Sequence, residues 1–133
     1  MRHHQLLNAT LAAAVTADVT AGVFTLGRVE SLSLHAIMTV VGGGTTAKAW
    51  VQTSFDGGLT WMDVASFAFT TSTATRLYHL TAAAVTSIAT PGDAALADNT
   101  VVNGFLGDRV RVKLTTTGTY TGASSLVITA LAK

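Results

Sequence analysis

Between residues 54 and 61 the chain sets Ser54, Asp56, Gly58, Thr60 and Trp61 in the order Ser-x-Asp-x-Gly-x-Thr-Trp. A carboxylate beside two hydroxyls and an indole could handle a sugar, the acid exchanging a proton while the ring stacks on the pyranose. Glycoside hydrolysis, however, uses two carboxylates with opposed roles. The second is hard to find. Glu30 is the single glutamate, and Asp18, Asp56, Asp93, Asp98 and Asp108 mostly sit at turn-like or strand-end positions, where capping accounts for them. Asp63 has no such explanation, but one carboxylate is not a mechanism. Cysteine is absent, which removes thiolate chemistry, disulfides and cysteine metal sites. His3 and His4 are adjacent near the start, and His35 and His79 fall on separate strand-like stretches without ligand spacing. "VGGGTT" lacks the lysine and following helix of a phosphate loop. No enzyme, metal or cofactor is expected.

The 54–61 stretch resembles the Asp-box, best known from the propeller blades of sialidases and other glycan-acting proteins. A propeller needs roughly 4–8 four-stranded blades; a chain of 133 residues with one copy of the motif cannot supply them. Physically the stretch is a hairpin device. Asp56-Gly57 favours a tight turn, and the Asp56 carboxylate can accept N–H bonds from its own loop. With Gly57 and Gly58 as the two loop residues, Gln52 faces Asp63 and Ser54 faces Trp61. Val51, Phe55, Met62 and Val64 then form a core face. Lys48, Trp50, Gln52, Ser54, Trp61 and Asp63 form a polar one, an assignment that depends on register. Trp61 is expected to cover its own hairpin, and Trp50 to be buried in core or interface.

Hydrophobic residues make up 49% of the chain and charged residues 11%, with a formal net charge of +1. No apolar run approaches the roughly 18 residues of a membrane helix. Nor is the charge balance that of a nucleic-acid binder. Such a composition suits a chain that hides surface against copies of itself or a larger assembly. Candidate contacts are the Arg2-His3-His4 start, Trp50, the basic stripe Arg109, Arg111 and Lys113, and Tyr120 at the tip of the last hairpin. The stripe reads either as a solvated face that discourages edge pairing or as a dock for an acidic partner.

Period-two alternation predicts strands. Residues 30–41 put Leu32, Leu34, Ala36, Met38 and Val40 on one face; residues 109–117 put Val110, Val112 and Leu114 inward. Further strands are expected at 46–55, 59–65, 67–72, 75–82 and 124–132. The last is apolar on both faces and so expected to be covered on both. Residues 1–17 are expected to form an arm or first strand, because Asn8 and Thr10 interrupt what would otherwise imitate a leader. Residues 83–104, with Pro91, are the least regular part; a short helix near 93–97 is one option, and so long a connection suggests an assembly contact. About eight short strands in one domain, 18–133, predict an all-β antiparallel β-sandwich, jelly-roll or related Greek-key.

The stretches "VQTSFDGGLTWMDVASF" and "LGDRVRVKLTTTGTYTGASSLVITALAK" cover about a third of the chain. They resemble small structural proteins of tailed-bacteriophage virions. That resemblance implies a non-enzymatic capsid decoration or cement protein, assembled in the bacterial host cytoplasm. It would contact the major capsid protein and copies of itself as a dimer or trimer, with a terminal arm reaching neighbours. The rival readings are a tail, neck or fibre-associated virion protein and a carbohydrate-binding module, the latter requiring an exposed Trp50 or Tyr120.

Overall fold

A computed structural model of the chain describes residues 2–11, 23–27, 29–82, 92–104 and 106–133. The described residues form ten strands: β1 (Arg2–Thr10), β2 (Val23–Thr25), β3 (Ser31–Thr39), β4 (Gly42–Gly43), β5 (Thr46–Ser54), β6 (Met62–Phe69), β7 (Ala74–Thr81), β8 (Arg109–Thr117), β9 (Tyr120–Thr121) and β10 (Ser125–Ala132). One four-stranded sheet has the order β1-β10-β3-β7 and the other β2-β8-β5-β6; β4 and β9 form a small separate pair. Every pairing is antiparallel.

The pairings follow from one device. β5 pairs with β6, β3 with β7, β2 with β8 and β1 with β10, so the chain is a long hairpin whose apex is the 55–61 turn. Rolling that hairpin adds the β8–β5 and β10–β3 contacts and splits it into two facing sheets. This is the jelly roll, an all-β antiparallel sandwich of eight strands. Sequence alternation decides which side of each strand faces in. Leu32, Leu34, Ala36 and Met38 of β3 meet Leu126, Ile128 and Ala130 of β10 across the sheet, all buried. From the other sheet come Ala47, Ala49 and Val51 of β5 with Val110, Val112 and Leu114 of β8, also buried.

Several expectations shift. Instead of two strands at 59–65 and 67–72 there is one, β6 (Met62–Phe69), whose residues 63–67 are buried consecutively because it is covered on both faces. A register shift beside Val51/Gln52 leaves Val64 as the extra residue: Gln52 pairs with Asp63 as expected, but Val51 pairs with Ala65. Phe55 is not core; it lies beyond the end of β5 and is 56% exposed. Residues 92–100 form turns and no helix, and 83–91 lie outside the described residues. β1 is an edge strand of its own sheet and buries Leu6 and Leu7, so truncating residues 1–10 would cut into the core rather than trim an arm; residues 12–17 lie outside the described residues. Among the described residues nothing covers the outward side of β10, where Leu131 is 37% exposed.

Tyr120 is not a loop tip. It is buried in β9, and its hydroxyl donates to the Thr70 carbonyl at 2.7 Å. The ring lies flat on Gly44, where a Cβ would come within 2.3 Å of it and where φ is +73°. Only glycine serves both demands there.

Candidate functional site

The outward face of the β2-β8-β5-β6 sheet joins polar and charged residues into one network running from the hairpin tip to the 92–98 loop. At the tip, Asp56 accepts from the backbone N–H of Leu59 (3.1 Å) and Thr60 (2.9 Å), from the Thr60 hydroxyl (2.6 Å) and from the Ser54 hydroxyl (2.8 Å). Ser54 in turn accepts from the Gly58 N–H at 2.9 Å. Gly57 and Gly58 have φ of +74° and +99°, which lets the loop fold back onto these two side chains. The hydrogen bonds, led by the Thr60 hydroxyl, hold the Asp56 carboxyl down at about 2. Trp61 covers the loop and donates its indole N–H to the Gly58 carbonyl at 3.1 Å. Ser54, Asp56, Gly58, Thr60 and Trp61 thus form one closed cap.

Arg111 joins this cap to the strands. Its guanidinium lies 4.3 Å over the Trp61 ring, its Nε donates to Gln52 Oε1 at 2.8 Å, and a terminal nitrogen sits 3.5 Å from Asp93. Gln52 donates onward to Asp63 (2.8 Å) and Asp93 (2.6 Å). Asp63, fully buried on β6, accepts three consecutive backbone N–H groups, from Ala94 (3.0 Å), Ala95 (2.7 Å) and Leu96 (2.9 Å). The loop held this way lays Leu96 over Trp50, whose indole N–H donates to the Leu96 carbonyl at 3.1 Å. Asp63 is therefore the latch of the loop, a role its sequence neighbours give no hint of.

Two of the three residues of the basic stripe, Arg111 and Lys113, are engaged by the same loop through Asp93. Lys113 reaches Asp93 at 3.0 Å, and Arg109 lies 3.8 Å from Asp108. Burial pushes Asp93 up, but hydrogen bonds from Gln52 and Lys113 and the charges of Lys113 and Arg111 outweigh it and leave the carboxyl below its ordinary value. Burial lowers Arg111, with Asp93 and Asp63 pulling it partly back. Lys48 pairs with Asp98 at 3.0 Å. Beyond the loop, Ser66 N–H bonds the Thr100 carbonyl, Val102 N–H bonds the Val64 carbonyl, and Ala68 N–H bonds the Asn99 side chain, so residues 99–102 close the free edge of β6.

The remaining candidates scatter. Arg2 reaches the Leu26 carbonyl, and His4 turns inward to meet Phe24 edge-on at 6.2 Å. His3 is exposed on the other sheet, as is His79, which hydrogen-bonds Ser33 at 2.9 Å. Among the described residues no group of three metal-ligating side chains converges. Trp50 and Tyr120 are 9% and 1% exposed, so neither presents a ring on which a sugar could stack.

A general acid or base needs a pKa near the working pH. Asp56 and Asp93 are held low, and Asp63 spends its oxygens on three backbone donors and an amide. The arrangement fixes a hairpin and a loop. Scanned against protein-family models and searched against curated proteins, the chain matches none.

Proposed function

We propose that this chain is a non-enzymatic structural protein of a bacteriophage virion, a decoration or cement protein that binds the head shell. The observation that supports this best is the use of the polar face. Its buried carboxylate and its turn carboxylate act as loop anchors, so the residues that could have done chemistry hold a rigid jelly roll together. Jelly rolls serve as building blocks of viral shells, although the same fold also hosts lectins and enzymes. With only 11% charged residues, the chain suits permanent burial against neighbours better than life as a free monomer. The carbohydrate-binding reading loses its platform with Trp50 and Tyr120 turned inward.

The test is the copy number of this chain relative to the major shell protein in gradient-purified particles, by quantitative mass spectrometry. A near-stoichiometric ratio is expected. A few copies per particle would move the role to tail or neck, and absence from particles would overturn the virion reading.

A further inference from the structure

The two outer faces of the sandwich differ in charge. Lys48, Asp63, Arg109, Arg111 and Lys113 all stand on the outward side of the β2-β8-β5-β6 sheet, beneath or beside the loop that brings Asp93 and Asp98. On the β1-β10-β3-β7 sheet the outward strand positions hold no Asp, Glu, Lys or Arg. Glu30 and Lys133 line a hollow with Ser31, His79 and Thr81 at one end of the sheet. On the strand face itself Ile37, Leu77 and Leu131 are 37%, 72% and 37% exposed, set among serine, threonine and histidine side chains. A shallow hollow of about 210 Å³ lies between His3, His35, Leu77 and Leu131.

We propose that this uncharged sheet face is where two copies of the chain associate, face against face. Three arguments select a second copy as the occupant. A face without formal charge meets its own copy with no like-charge conflict, whereas a charged partner would have to strip water from ions that find no counter-charge there. Its hydroxyls and imidazoles both donate and accept, so the surface can complement itself about a two-fold axis. The size also fits: four strands at about 4.8 Å spacing and about eight residues at about 3.3 Å give roughly 500 Å² per copy, or about 1,000 Å² for the pair, the lower bound for specific association. On the opposite face the chain's own 92–98 loop already covers the part over Trp50, Asp63 and Lys113. This inference adds a self-association surface to the proposed function, yet it rests on the sheet alone. Dimerisation in solution and copy number in particles can therefore fail independently.

The experiment is sedimentation velocity of the full chain from about 1 to about 200 μM, the range in which a small interface saturates. Wild type is compared with Leu77→Glu, Ile37→Lys and Leu59→Glu, circular dichroism reporting that each is folded. Leu77 and Ile37 point to solvent in the monomer, and Leu59 is an 85% exposed residue of the hairpin tip, away from the sheet. A concentration-dependent dimer is expected, weakened at least about tenfold by either sheet-face charge and unchanged by Leu59→Glu. A monomer throughout, a dimer indifferent to both sheet-face charges, or one weakened equally by Leu59→Glu would overturn the proposal.

Discussion

Replacing Asp63 with alanine removes the acceptor for Ala94, Ala95 and Leu96 N–H and for the Gln52 amide, four bonds of 2.7–3.0 Å. At about 1.5–3 kcal/mol for each hydrogen bond to a charged group, a rigid loop would lose about 6–12 kcal/mol. The loop is not rigid once unlatched, since lifting off returns its N–H groups to water. The cost is then capped by what lifting exposes. Uncovering Leu96 is worth about 1.5–3 kcal/mol, and the Trp50–Leu96 hydrogen bond about 1 kcal/mol. A net loss of about 3 kcal/mol is expected, which for a chain of this length lowers Tm by roughly 10 °C.

Urea and thermal unfolding would measure the loss. Trp50 emission, read in a Trp61→Phe background, separates a lifted loop from uniform weakening, because the indole then loses its carbonyl partner and gains water. Asp63→Asn keeps one oxygen acceptor and should fall between wild type and alanine. A loss below about 1 kcal/mol with Trp50 emission unmoved would refute the latch.

Two further outcomes follow from the same geometry. The Asp56 carboxyl is held at about 2 against an ordinary 3.8, so it stabilises the hairpin fully above pH 3.8 and loses that contribution as pH falls through about 2; the Thr60 amide resonance should titrate in that window, and Asp56→Asn should abolish the transition. Gly44→Ala drives a methyl into the Tyr120 ring at a positive φ and should cost about 2–4 kcal/mol in urea unfolding, a loss that Tyr120→Ala in the same chain should partly relieve; full additivity would mean the two do not touch.

Where side-chain alternation was clean the strands were legible. β3 and β8 each bury every second residue, and their hydrophobic faces read directly as core. The hairpin cap was legible too, because all its bonds join residues at most four apart. β6 was not. Its outward residues are covered by a loop some 30 positions away, so polar and apolar residues are buried alike and the period of two vanishes. Asp63 stayed unexplained, and the basic stripe stayed open between a solvated face and an acidic dock, for the same reason. Arg111 and Lys113 look solvated along β8, and only the return of Asp93 across β5 and β8 explains why they are largely buried. Phe55 was misplaced because β5 ends at Ser54, two residues earlier than a loop of Gly57 and Gly58 requires.

The covered sheet and the bare one are two consequences of a single connection. In a rolled hairpin the link from β7 to β8 must cross from one sheet to the other, and here it passes over the β6 edge. On its way it supplies Asp93 to the basic strand, Leu96 to Trp50 and backbone amides to Asp63, so the charges on that side are neutralised within the chain. Among the described residues no loop covers the other sheet, and the outward positions of its strands carry no charge that would need one. Had it been meant for solvent alone, lysine or glutamate at the outward positions of β7, an edge strand, would protect against strand addition. Leu77 at 72% exposure stands there instead, which is the placement expected of a surface that is covered in use.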